Sequence, residues 1–334
     1  MTTMNTTQTT TQTPAAIQPT ISGIHHVTAI TGDAQGNIDF YTKTLGLRLV
    51  KITVNYDDPS SYHLYYGDGL GRPGTILTFF AWPGARRGHT GTGQVSETAY
   101  AVPAGALDYW QQRLTDAGVQ GVERVTRFGE ETLAFRDPEG MALSLVATAT
   151  ATDAHLWAAS AVPAAYAIRG FYGVTLLETS EAGPASVLVS RFGYKETGRE
   201  NRRVRFVRDG DAAGRVVDVV TTPTRSFPGL GAGEVHHVAF RTPDDANQAR
   251  WLEILIGDGR HVSPVMDRNY FHSIYFREPG GTLFEIATDN PGFTQDETAE
   301  NLGTRVQLPP WLEPERAAIE AQLPKVVLPG PMRV

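Results

Sequence analysis

Short runs of Val, Ile, Leu, Tyr and Phe, punctuated by Gly and Asp, recur along the chain between four stretches whose apolar residues return every three or four positions. The first helix-like stretch covers residues 37–45, with Phe40, Tyr41 and Leu45 on one side and Gly46 placed as its stop. The second carries Leu107, Trp110 and Leu114 and closes at Gly118. The third carries Val187, Leu188 and Phe192 and closes at Gly193; the fourth carries Trp251, Leu252 and Leu255 and closes at Gly257. Strand-like runs such as 62–66 and 75–80 follow each helix, so every unit reads β-α-β-β-β. One such sheet has a single apolar face for its helix to cover, and its other face must curl around something. The expected fold class is α+β, with four βαβββ modules paired into two half-barrel domains that enclose a cup.

The modules are also visible as an internal repeat. Phe135-Arg136-Asp137-Pro138-Glu139-Gly140 recurs as Phe276-Arg277-Glu278-Pro279-Gly280-Gly281. At nearly the same offset, Val95-Ser96-Glu97-Thr98-Ala99-Tyr100 lines up with Val235-His236-His237-Val238-Ala239-Phe240. Ile21-Ser22-Gly23-Ile24-His25-His26-Val27-Thr28 matches Ile168-Arg169-Gly170-Phe171-Tyr172-Gly173-Val174-Thr175. These matches set modules near 21–84, 94–148, 168–223 and 233–290. Modules one and two form an expected N-terminal domain over 21–150, and modules three and four a C-terminal domain over 168–290, joined by an Ala-rich linker at 151–167. A C-terminal extension over 291–334 carries Pro309-Pro310-Trp311-Leu312 and a short helix at 313–323, and is expected to clamp the domains. The Thr/Gln-rich residues 1–20 read as a disordered tail.

Composition removes several classes of function. A formal charge of −7 argues against a phosphate-backbone partner, which needs clustered Lys and Arg. No apolar run approaches the roughly 20 residues of a membrane span, and residues 1–20 lack a charged start and apolar centre, so a cytoplasmic location is the default expectation. There are 0 cysteines, which excludes disulfides, thiolate nucleophiles and Cys-bound metals and leaves His, Asp, Glu or Tyr to hold any ion.

The repeat breaks where chemistry is expected. The first-strand position holds His26 in module one and His237 in module four, but Glu97 in module two and Gly173 in module three. In the last strand, Glu285 stands where module two has Ser144. A carboxylate within an apolar strand is costly to bury unless paired or bound to a cation. Two imidazoles and one carboxylate form the face used by non-haem Fe(II) oxygenases, although zinc, nickel and manganese accept the same donors. In each His-His doublet, strand alternation sends one ring into the cup and its neighbour away. His63, His89, His155 and His261 have no sibling pattern and read as structural or solvent-facing, while His272 could serve either role.

These residues resemble the vicinal oxygen chelate superfamily, whose glyoxalase-like fold is built from βαβββ modules. More narrowly they resemble the para-hydroquinone ring-cleaving dioxygenases, such as 2,6-dichlorohydroquinone 1,2-dioxygenase. The markers are the two doublet strands above, Asp267-Arg268-Asn269-Tyr270-Phe271-His272-Ser273-Ile274-Tyr275-Phe276, Gly281-Thr282-Leu283-Phe284-Glu285-Ile286, and Leu308-Pro309-Pro310-Trp311-Leu312. The resemblance implies Fe(II) held by His26, His237 and Glu285, with Mn(II) or Zn(II) as alternatives. It also implies catalytic roles around the metal for Thr28, His236, Arg268, Tyr275 and His25. The expected activity is cleavage of a hydroquinone-type or catechol-type ring with both atoms of O2, without an organic cofactor. Its expected partners are thus a small aromatic substrate and O2, with no nucleic acid or membrane and with a homo-oligomer left open. The competing expectations are a glyoxalase-type metal-dependent lyase or isomerase, and a non-catalytic ligand-sequestering resistance protein of the same fold.

Overall fold

The computed structural model describes residues 18–149 and 155–329. The expected disordered tail therefore falls outside the described residues up to position 17, as do the first residues of the linker and the last five of the chain.

Module one runs β1 (Ile24–Thr31), α1 (Ala34–Asp39), β2 (Arg48–Asn55), β3 (Asp58–Gly67) and β4 (Ile76–Ala81). Module two runs β5 (Gln94–Pro103), α2 (Leu107–Asp116), β6 (Gln120–Arg127), β7 (Glu130–Arg136) and β8 (Ala142–Thr148). Module three follows as β9 (Phe171–Glu178), α3 (Ala182–Leu188), β10 (Tyr194–Glu200), β11 (Arg203–Arg208) and β12 (Val216–Thr221). Module four is β13 (Val235–Thr242), α4 (Asp245–Gly257), β14 (Met266–Asp267), β15 (Phe271–Arg277) and β16 (Leu283–Pro291), and α5 (Arg316–Gln322) lies in the extension.

Local chemistry sets the helix ends. Asp33 caps α1 by accepting from the Gly36 backbone N–H, and the chain continues through a wider π turn to Thr44. Gly46 then reverses the chain at φ +71, in the left-handed region that a glycine tolerates. A Cβ there would meet Ser160 Oγ at 2.5 Å, because the linker crosses directly above it. In module four the sequence pointed to Gly257 as the stop. Gly257 is instead the last helical residue, and the left-handed turn falls on Gly259 at φ +77.

The strands form two eight-stranded sheets. One has the order β14-β15-β16-β13-β1-β4-β3-β2 and the other β10-β11-β12-β9-β5-β8-β7-β6. Module one thus shares a sheet with module four, and module two with module three, which differs from the sequential pairing expected above. The physical reason is edge pairing. The first strand of each module has a free edge, and β1 meets β13 antiparallel while β5 meets β9 in the same way.

Sequential modules meet through their helix-bearing faces instead. Tyr41 of module one donates to Asp137 Oδ2 of module two at 3.0 Å, and the Arg113 guanidinium donates to the Thr44 carbonyl at 2.8 Å. Phe192 of module three packs on Phe240 at 4.9 Å and Trp251 at 5.4 Å in module four. Trp110 is wholly buried in this core, where truncation to alanine costs about 3–5 kcal/mol.

The extension covers β2, which would otherwise be an open edge of the first sheet. Buried Arg48 donates to the carbonyls of Glu300 and Leu302, and Lys51 Nζ lies 2.6 Å from Asp296 Oδ1 and pairs also with Glu297. All eight residues of β2 are consequently buried, including its two cations.

Candidate metal centre

The two cups differ in what fills them. In the second sheet, Arg127 pairs with Glu97, and Arg205 with Asp218 at 2.9 Å. The Ser144 hydroxyl donates to Glu97 at 2.8 Å. At Gly173 an added Cβ would meet Val216 O at 2.1 Å, so no side chain fits there. Only about 10 Å³ of cavity remains in that cup. The first cup keeps a cavity of about 260 Å³.

Three side chains from β1, β13 and β16 converge beside this cavity, and the two imidazoles among them line it. Glu285 Oε2 lies 2.8 Å from His237 Nε2 and 3.2 Å from His26 Nε2, and the two Nε2 atoms are 3.4 Å apart. Among the described residues, His26, His237 and Glu285 are the one cluster of at least three such side chains with ligand geometry, and all three are buried. Strand register produces the convergence: Thr28 lies opposite His237 across β1–β13, and Glu285 lies opposite Ala239 across β13–β16.

Proton positions follow from the doublets. His25 Nδ1 lies 2.9 Å from His26 Nδ1, and His236 Nδ1 lies 2.8 Å from His237 Nδ1. Burial, helped by the neighbouring His26, holds His25 well below the usual imidazole range. Burial and the adjacent His237 hold His236 down at about 3. Both flanking rings are therefore neutral near pH 7 and can accept at Nδ1. Where the flanking ring accepts, Nδ1 of His26 and of His237 carries the proton and each Nε2 presents a lone pair, the tautomer that a cation between them selects.

The residues fit a cation on that ground. Two imidazole lone pairs and a carboxylate oxygen point at one another, and Glu285 Oε2 is buried without a hydrogen-bonding partner despite its close neighbours. Converging lone pairs repel unless a positive charge lies between them. Burial alone would raise the Glu285 carboxyl, but charge and hydrogen bonding on the side of His26 and His237 outweigh it and hold the carboxyl well below the usual range. The Ser273 hydroxyl donates to its other oxygen, Oε1.

The other expected residues gather nearby. Arg268 donates through Nε to the Tyr275 hydroxyl at 3.2 Å and pairs through a terminal nitrogen with Asp57 at 3.2 Å, rather than with the adjacent Asp267. Tyr275 faces the cavity while Phe276 enters the core. Burial and the Glu285 charge push the Tyr275 phenol up, so it keeps its proton. Thr28 is buried and accepts from Thr78 Oγ1 at 2.9 Å. His25 packs against Phe271 with ring centroids 5.1 Å apart. Strict alternation had turned one ring of each doublet away, yet His236 lines the cavity beside His237. Register shifts in the β1–β13 pairing break the alternation there.

Sequence reasoning set His63 aside as structural or solvent-facing, and the structure corrects this: His63 lines the cavity. Its ring stacks near Tyr65 and Phe80 at 4.1 and 4.5 Å. Its spacing of two from Tyr65 puts both on one face of β3, but nothing along the strand says which face meets the cavity. Tyr56 and Asp57, at the tip of the β2–β3 hairpin, also line the cavity and were missed, because a turn carries no periodicity to read. His272 lies elsewhere, hydrogen-bonded to Asp245 at 2.6 Å.

The profile of the Glyoxalase/Bleomycin resistance protein/Dioxygenase superfamily matches residues 23–145 and 173–286. A Bacillus subtilis protein provisionally named ring-cleaving dioxygenase MhqO is 48% identical over 90% of this chain and 95% of its own. The chlorohydroquinone/hydroquinone 1,2-dioxygenase of Sphingobium indicum is 38% identical over 88% of this chain and 93% of its own. A crystal structure of a provisionally assigned dioxygenase from Bacillus subtilis superposes with a TM-score of 0.89 at 46% identity, covering 93% of this chain and 99% of that one. Glyoxalase I from Zea mays, at 15% identity and a TM-score of 0.60 over 80% of this chain and 92% of its own, shares the fold.

Proposed function

Because the chain belongs to the Glyoxalase/Bleomycin resistance protein/Dioxygenase superfamily, we propose that it is an Fe(II)-dependent dioxygenase that opens the ring of hydroquinone-type substrates with O2. The observation that carries the reading is the convergence of His26, His237 and Glu285, with both imidazoles lining an aromatic-walled cavity and the carboxylate buried behind them. The hydroquinone branch is favoured over the catechol branch by the name of the Sphingobium relative. Bound there, iron would supply Lewis acidity that lowers the pKa of a phenolic oxygen and a redox link between the ring and O2.

The protein's own groups then divide the remaining work. Phe80, Trp82 and His63 wall the cavity with rings suited to a planar substrate, Phe80 and Trp82 parallel to within 4° and His63 tilted 44° to Phe80. His236 lines the cavity with its Nδ1 2.8 Å from His237 Nδ1, so where that nitrogen accepts, its single proton sits on Nε2 and is offered to the cavity. Tyr275 accepts from Arg268 and keeps its own hydroxyl proton to donate. Arg268 adds a permanent positive charge in a partly desolvated setting. These donors and this charge are matched to a deprotonated substrate oxygen and to negative charge developing as O2 is reduced.

The test is anaerobic reconstitution with Fe(II), followed by oxygen-electrode assays across substituted hydroquinones and catechols. Oxygen uptake with hydroquinones, one O2 for each ring opened, is the expected result. Tight Zn(II) or Ni(II) binding without uptake would favour a lyase or isomerase instead. Stoichiometric ligand binding without turnover would favour sequestration.

A further inference from the structure

A continuous hydrogen-bond chain crosses three strands beside the metal centre. Tyr65 Oη lies 2.9 Å from His63 Nδ1, His63 Nε2 lies 2.8 Å from Thr78 Oγ1, and Thr78 Oγ1 donates to Thr28 Oγ1 at 2.9 Å. Register makes the diagonal: Tyr65 lies opposite Thr78 on β3–β4, and Thr78 lies opposite Thr28 on β4–β1.

The direction of the chain can be read from its ends. Among the described residues His63 Nδ1 is the one hydrogen-bonding partner of the Tyr65 hydroxyl, which is deeply buried and keeps its proton, so that proton goes to Nδ1 and His63 accepts. A neutral imidazole that accepts at Nδ1 carries its proton on Nε2, which therefore donates to Thr78. Thr78 in turn donates to Thr28. Every donor in the chain is then used except the Thr28 hydroxyl, which among the described residues has no acceptor of its own. Thr28 stands two residues from His26 on the same face of β1 and opposite His237.

We propose that His63 is a positioning residue: with Tyr65 and Thr78 it orients the Thr28 hydroxyl so that its proton is offered to an oxygen atom bound at the His26–His237–Glu285 centre. Without the chain, the Thr28 hydroxyl could turn and accept from that oxygen's neighbours as readily as donate. With it, Thr28 is a fixed donor, which stabilises a bound phenolate oxygen without any motion at the moment of reaction. The inference rests on the proposed ring-cleaving function for its kinetic consequence, but the chain itself can be tested without turnover.

The experiment has two arms. In the first, 15N-histidine NMR of the full-length wild-type protein without metal reads the His63 tautomer. A neutral ring protonated at Nε2 is expected, with the Nδ1 signal shifted in Tyr65→Phe; a ring protonated at Nδ1 would overturn the proposal. In the second, steady-state kinetics with hydroquinone compare Thr78→Val, Thr78→Ser, Thr28→Val and the Thr28→Val/Thr78→Val pair, with iron content and thermal midpoint measured for each. Thr78→Val is expected to lower kcat about tenfold or more with little change in KM and no loss of iron, and Thr78→Ser to restore it. In the Thr28→Val background the Thr78→Val change should cost nothing further, because its effect passes through Thr28. Fully additive losses would overturn the relay. A wild-type protein inert towards hydroquinone would overturn the functional reading alone, leaving the tautomer to decide the chain.

Discussion

The Nε2 atoms of His26 and His237 lie 3.4 Å apart although 211 positions separate the two residues in the chain. That closeness follows from antiparallel pairing of the first strands of modules one and four, which puts both imidazoles at one depth in a shared cup. It also makes the centre sensitive to groups that hold these strands and their ligands in position.

Ser273 is one such group, since its hydroxyl donates to Glu285 Oε1 and orients the carboxylate. Ser273→Ala is expected to weaken Fe(II) affinity about 10- to 100-fold while leaving kcat at saturating iron largely intact. Competitive metal titration under anaerobic conditions checks this.

Arg268 separates charge from metal retention. Arg268→Ala should retain iron and lose about 100-fold or more in kcat/KM, while Arg268→Lys recovers only part. A lysine keeps the charge but cannot bridge Tyr275 and Asp57 with the arginine fork. Iron analysis alongside steady-state kinetics distinguishes this from simple loss of the centre.

Lys51 ties the extension to β2. Its ammonium is fully buried, pairs with Asp296 and Glu297, and lies 4.8 Å from the centre of the Tyr270 ring. Lys51→Met strips the cation from two acidic groups, one of them buried, and should cost about 3–5 kcal/mol of stability, read from chemical denaturation.

Glu178 and Glu278 make the stability of the fold depend on pH between the ordinary carboxyl range and about 8. Both are buried, Glu178 accepting from Thr282 Oγ1 at 2.7 Å and Glu278 from the Thr282 backbone N–H at 2.8 Å. Burial pushes the Glu178 carboxyl up to about 8, with the Thr282 hydroxyl opposing and the Glu278 charge adding to it. A carboxyl raised on folding stabilises fully below its ordinary value of 4.5, and that contribution is lost as pH rises through about 8. Glu178→Gln cannot ionise, so its melting temperature should gain on wild type between pH 5 and pH 9, by about 2 °C or more. Thermal melts across that range decide it.

Much of this site was legible because a repeated chain can be compared with itself. His26, His237 and Glu285 stood out against Gly173, Glu97 and Ser144 without any other sequence. The sheet pairing was not legible, because apolar periodicity says which face is buried and not which edge a strand will meet. His63 escaped for a related reason: its place depends on cross-strand register to Thr78 and Thr28, which no spacing along β3 encodes. His236 escaped the alternation rule because register shifts lie where the two doublet strands pair.

The most direct measurement is the iron content of wild-type and Glu285→Ala protein after identical anaerobic loading with Fe(II) and removal of free metal. One iron per wild-type chain and essentially none in the folded variant is the predicted result. A variant that retains tightly bound iron at the wild-type ratio would contradict it.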